Sequence, residues 1–167
     1  MPTYFTKAMM IFSLLLSAAI FGFFYAWVCS TMWGLDAADP RVAIAAMQAM
    51  NASVRNAVFA PAFFGTPLAL LITAALLWSQ NIRRSAALFG AGGVVYFAFG
   101  MVLTIAVNVP MNEALGALDV PQDIAEARDI WLAYSPDWQI WNITRTITSG
   151  LAFTLALLGV FALPRSA

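Results

Sequence analysis

The sequence predicts an all-α integral membrane protein, a four-helix bundle with extended helical segments on its outer face. Three observations carry this. The 167 residues are 62% hydrophobic and only 10% charged, whereas soluble domains carry about 25% charged residues. The mean hydropathy is +0.83. Four apolar runs, near 8–33, 58–78, 86–107 and 136–163, each approach or exceed the roughly 20 residues that a bilayer core demands. The length fits a single membrane domain, 1–167.

Composition also excludes chemistry. Net charge is zero, so no nucleic-acid partner is expected. One cysteine, Cys29, gives no disulfide framework. With no histidine in the chain, His-ligated metals and His-dependent triads are ruled out. No metal site and no cofactor are expected.

The first span begins after Lys7 and ends in Tyr25, Trp27 and Trp33. It exceeds the 7–15 residues typical of a signal h-region and reads as a retained span with an interfacial aromatic belt. Ser13 and Ser17 within it read as helix-packing groups. Gly34 is expected to end the helix. Asp39-Pro40 reads as N-cap and first helical residue, opening an amphipathic helix over 41–56 that runs on into the second span. Pro61 and Pro67 are expected to kink that span. The third span carries Ala86, Gly90, Gly93 and Gly100 on one side, where a neighbouring helix can approach closely. It ends at Asn108-Val109-Pro110-Met111-Asn112-Glu113. Asp119 looks like a cap before a short helix over 122–134. Ser135-Pro136-Asp137 has the N-cap, N1 and first-turn pattern of a new helix start, which opens the last span.

Charge sorts by side. Lys7, Arg83, Arg84 and Arg165 lie at the termini and in the middle connection, where no acid is found. All eight acids lie in the other two connections or bordering them. The positive-inside rule then puts both termini in the cytoplasm. In a bacterial inner membrane, the regions 36–58 and 108–137 would face outward.

Placed on a helix, Trp138, Trp141, Asn142, Arg145 and Ser149 share one face. Counting back about 20 residues from Leu163 sets Arg145 near the outer boundary of the hydrocarbon core. Two readings stay open. Arg145 snorkels to the headgroups, or it faces inward, pairs with Glu113, Asp36 or Asp137, and lines an outward-opening pocket with Asn142. Similar alternatives hold for the other polar groups of this end. Asn108 and Asn112 either rescue the backbone around Pro110 or turn amides into the same cavity. Gln48, Asn51 and Arg55 form the wet face of an interfacial helix or join that cavity. Trp138 and Trp141 belong to the aromatic belt or form a stacking wall for a flat ligand.

Met47-Gln48-x-x-Asn51, then Asn108-x-Pro110-x-Asn112, then Trp138-x-x-Trp141-Asn142-x-x-Arg145-Thr146, in this order, resembles the anthrone oxygenase family of small four-span membrane proteins. The resemblance runs over about 12–163. It implies oxidation of polyketide anthrones to anthraquinones without metal or flavin. On that model Arg145 and Asn142 are catalytic candidates that hold an oxyanion, and Glu113 is the candidate base, needing a carboxyl pKa raised by burial. Trp138, Trp141, Asn108, Asn112, Gln48 and Asn51 are the substrate-binding candidates. The partners implied are the lipid bilayer and a small hydrophobic aromatic ligand. Two alternatives are a non-enzymatic binder of a quinone or similar flat molecule, and an assembly subunit that docks a membrane-complex partner or a second copy of itself. Transport fits poorly, since the spans lack acid pairs, repeated halves and midplane charges.

Overall fold

The computed structural model describes residues 1–164. Arg165, one of the basic residues counted above, lies outside the described residues. Among the described residues there are five helices: α1 (Tyr4–Asp36), α2 (Pro40–Ser53), α3 (Phe59–Ser79), α4 (Arg83–Gly116) and α5 (Ile124–Phe161). All but α2 are long and apolar enough to cross a membrane. The protein is therefore an integral membrane helical bundle. α1 packs on α3, α3 on α4, α4 on α5, and α5 closes the ring against α1. α2 lies across one end, against α5.

The two ends differ in charge. Gln80, in the α3–α4 turn, accepts from the Thr3 backbone at 3.0 Å and donates to Thr6 Oγ1 at 2.6 Å. This joins the turn to the N-terminus and gathers Lys7, Arg83 and Arg84 at one end, the basic end. The opposite, acidic end carries the α1–α2, α2–α3 and α4–α5 connections.

Small residues bring the helices together in the basic half. A Cβ on Gly92 would stand 2.8 Å from the Ala152 carbonyl oxygen, and one on Gly93 2.9 Å from Leu71. Ser13 meets Thr73 hydroxyl to hydroxyl at 2.9 Å, the packing role expected of it. Met10, Leu70, Leu77, Phe89 and Ala156 fill the space between. In the acidic half the core is instead aromatic: Phe24, Phe63 and Tyr96 in one cluster, and Trp131, Tyr134 and Trp138 in another, with Met47 and Leu115.

Several element boundaries depart from expectation. Gly34 does not end α1, which continues to Asp36 through a π-helical turn at Trp27–Thr31. Asp39 does cap α2, accepting from the Arg41 N–H at 2.9 Å. The Arg41 guanidinium also binds that carboxylate and holds it below its usual pKa. α2 does not run into the second span. Asn56 Oδ1 accepts from the Val58 and Phe59 N–H groups at 2.8 and 3.0 Å, which satisfies the donors a new helix start leaves open. Of the two α3 prolines, Pro61 sits in the first turn, where no N–H is needed, and only Pro67 is interior. α4 does not stop at Asn108. It widens into π-helical turns at Phe97–Val102 and Thr104–Asn108 and continues through Pro110 to Gly116. Local π geometry re-satisfies backbone groups that a proline would orphan.

The largest departure is α5. Asp119 is not its cap; Asp123 is, accepting from Ala125 and Glu126. From there one helix of 38 residues passes straight through Pro136. Ser135 is no N-cap. Trp131, Ser135 and Gln139, at i, i+4 and i+8, all donate to the Asp36 carboxylate, at 2.9, 2.7 and 2.9 Å. The three bonds brace α5 on both sides of the proline, to the end of α1.

Candidate functional site

A cavity of about 980 Å³ opens in the acidic half between the two aromatic clusters. α5 supplies one wall with Trp138, Asn142 and Arg145, at i, i+4 and i+7, the spacing of one helical face. α1 adds Phe23, Phe24 and Trp27, and α3 adds Phe59 and Phe63. These rings pack on one another: Phe23 to Phe59 at 4.9 Å, Phe59 stacked on Phe63 at 5.3 Å, and Trp27 against Trp138 at 5.1 Å. Thr104 and Asn112 come from α4, and residues 54–58 of the α2–α3 connection form part of the rim.

Arg145 dominates the electrostatics. It is 5% exposed and is the one charged side chain among the buried described residues. The inward-facing reading holds and the snorkelling one does not. The expected carboxylate partner is missing, however. Among the described residues no acid lies within ion-pair distance of Arg145. Glu113 instead pairs with Arg55 at 3.1 Å in the open. Asp36 is engaged by α5 residues as above, and Asp137 is exposed. The guanidinium donates to Asn142 Oδ1 at 2.9 Å and to Thr104 Oγ1 at 3.3 Å. It sits between two rings, 4.7 Å from the Phe24 centroid and 5.3 Å from Trp138, within cation–π range. Its Nε–H has no partner. A guanidinium buried against rings and amide dipoles, with no counter-charge, is costly unless something anionic completes it.

The amides around it have distinct duties. Asn142 is engaged at both ends: Oδ1 holds Arg145 while Nδ2 donates to the Phe24 carbonyl at 3.3 Å. Asn112 Oδ1 accepts from both Tyr134 Oη and Trp138 Nε1, each at 2.8 Å. With that oxygen doubly occupied, the amide cannot flip, and its N–H₂ is left as a donor in the cavity wall. Asn51 also lines the cavity, and its buried Nδ2 has no partner.

Four expected site residues are not part of this wall. Asn108 is wholly buried beside it, with both amide atoms unpartnered; it neither caps the Pro110 region nor faces the cavity. Gln48 donates to the Leu115 and Leu118 carbonyls at 2.9 Å each, closing the C-terminal end of α4. Trp141 is 37% exposed and turned out of the bundle. On the helix it lies about 60° round from Trp138, on the side away from Asn142 and beyond Arg145, past the edge of the face these three share. Glu113 stands outside, in its exposed ion pair.

Residues not foreseen complete the site. Phe24, Phe59 and Phe63 form its aromatic walls, Thr104 holds Arg145, and Tyr134 orients Asn112. The clustering of Phe23, Phe24 and Trp27 on successive turns of α1 is a readable signal for the first of these. Thr104 carries none, because its position depends on the wide turns of α4.

In comparison with known proteins, a family model described as anthrone oxygenase aligns with residues 54–155. The matched part holds Thr104, Asn108, Asn112, Trp138, Asn142 and Arg145 and excludes Gln48, Asn51 and α1. No curated protein and no solved structure matches the chain.

Proposed function

The chain belongs to the anthrone oxygenase family, and from that premise we propose that its cavity holds a flat polycyclic phenol of the anthrone type and presents it to dioxygen without a cofactor. The observation that carries this is Arg145, buried without a counter-ion in the wall of an aromatic cavity. The ligand's oxygen takes the place of the missing anion, held by Arg145 with the Asn112 and Asn51 amides as further donors. Phe24, Phe59, Phe63 and Trp138 supply the apolar walls for the rings. Phe64 and Ile105, 51% and 49% exposed, line the same cavity, so a lipid-soluble ligand has a sideways route in from the bilayer. The net reaction is anthrone plus dioxygen giving anthraquinone plus water. Arg145 stabilises the electron-rich ring system from which oxygen takes electrons.

The same reading keeps both termini in the cytoplasm and the cavity at the outer side of the membrane, supported by Lys7, Arg83 and Arg84 meeting at the basic end.

The test is oxygen uptake by the purified protein with an anthrone. Turnover above the uncatalysed rate, lost by about 100-fold or more in Arg145→Ala, is the expected result. A rate equal to the uncatalysed one sinks it. A second reading, a binder of flat quinone-like molecules without turnover, draws on the lack of any carboxylate or thiol in the cavity lining. It predicts saturable binding that Trp138→Ala weakens, with no oxygen consumed.

A further inference from the structure

The cavity is rich in donors and poor in anything that accepts a proton. Its polar lining consists of Arg145, Arg55, three asparagines besides Asn142, Ser53 and Thr104. The hydroxyls are committed: Ser53 Oγ donates to the Met50 carbonyl and Thr104 Oγ1 to that of Gly100. Asn56 is spent on its own turn, with Nδ2 on the Ser53 carbonyl. Titratable groups around the cavity are few. α1, α2 and α3 present none to it. α4 brings Tyr96, whose hydroxyl donates to the Phe63 carbonyl at 3.1 Å, and Glu113, held outside by Arg55. α5 brings Arg145 and Tyr134, the latter donating to Asn112. None of these is a base beside a ligand that sits on Arg145.

We propose that the site takes its ligand already ionised: a planar phenolate or enolate whose proton has gone to bulk water before the oxygen reaches Arg145. This rests on the reading of the cavity as a phenol site. The O–H bond breaks outside, its electron pair stays on the ligand oxygen, and the proton leaves as hydronium. The anion then supplies the counter-charge that Arg145 lacks, and the neutral ligand does not. Selection between the two forms follows from charge compensation at a desolvated guanidinium.

The experiment measures binding under nitrogen, by calorimetry, to the whole protein in lipid nanodiscs, with empty nanodiscs subtracted. The probes are a planar tricyclic phenol, analogues made more acidic by halogen substitution, and the methyl ether. Affinity should rise about tenfold per pH unit up to the phenol's own acid constant and level off above it, one proton being linked to binding. The inflection should move with each halogenated analogue, and the methyl ether should bind at least about 100-fold more weakly. Arg145→Lys should keep the pH dependence and Arg145→Gln should remove it. An inflection fixed at one pH across the series places the titrating group on the protein and overturns the proposal, as does tight binding of the ether. These results on the unmodified protein do not depend on either variant folding. Binding that tracks phenol acidity without oxygen uptake would sink the oxygenase reading alone. Turnover with a fixed inflection would sink this one alone.

Discussion

The basic and acidic halves are built from the same four long helices by opposite means. In the basic half, glycine and alanine let backbones touch, as where Gly92 meets the Ala152 carbonyl. In the acidic half, rings, wide turns and an added helix hold the same rods apart, and a cavity remains. The first half needs side chains to be absent. The second fixes some polar groups with set partners, as Asn142 and Asn112 are fixed, and leaves others, Arg145 Nε among them, open. In a membrane, where apolar burial gives helices little reason to associate, close packing and interhelical hydrogen bonds do that work. Here the basic half uses both, with the Ser13–Thr73 hydrogen bond beside its glycine contacts, while the acidic half leans on hydrogen bonds and rings.

Substitutions that touch one half only can break or sharpen that contrast. The largest effect is expected of Asn142→Leu. It strips a hydrogen bond from a buried guanidinium and removes the Asn142 donor from the Phe24 carbonyl, which should cost about 2–4 kcal/mol and abolish ligand binding. Unfolding in mixed micelles, read with a binding assay, checks both. Gly92→Ala comes next, at about 1–3 kcal/mol, since its neighbour is backbone and cannot move aside. It should leave ligand affinity intact in the protein that folds. Gly22, with nothing within 4 Å of its would-be Cβ, is the control, and a Gly22→Ala variant as unstable as Gly92→Ala would refute the packing account. Tyr134→Phe removes one of two donors to Asn112, an effect of about 1 kcal/mol. Trp138 still donates to the oxygen, so the amide loosens without flipping; ligand affinity should fall several-fold, and an unchanged affinity would detach Asn112 from the site. The smallest effect belongs to Glu113→Gln. The ion pair it breaks is exposed, so the stability change should stay under about 1 kcal/mol, with activity retained. A loss of turnover at all pH values would restore Glu113 as the base.

The spans and the sorting of charge were legible because both rest on composition alone. So was the alliance of Trp138, Asn142 and Arg145, which needs only helical spacing. What was not legible required a partner far away in sequence. Ser135-Pro136 reads as a helix start by every local rule, and Asp36, about a hundred residues earlier, overrides it. Gln48 resembles a site residue until it finds the end of α4. Glu113 matched Arg145 by charge but met Arg55 first. Asn56 shows the converse: a turn residue inside a run that reads as continuous helix. The site's reduction to one cation without a matching anion was invisible because sequence lists charges and not which of them meet.

The wide turns of α4 carry a consequence for insertions and deletions. A π-helical turn holds one residue more than an α-helical turn spanning the same rise. Removing a residue between Phe97 and Val102 would let the helix tighten to ordinary geometry without breaking it. One full turn replaces another, so everything beyond would keep nearly its azimuth relative to the glycines below. Thr104 and Asn112 would stay at the cavity while Gly92 and Gly93 kept their seats. The same deletion in an ordinary α-helical turn, between Arg83 and Tyr96, would instead rotate everything beyond it by about 100°. The wide turn thus acts as a slack link between the two halves, able to give up a residue without changing the azimuth at which a tightly packed rod delivers its polar groups.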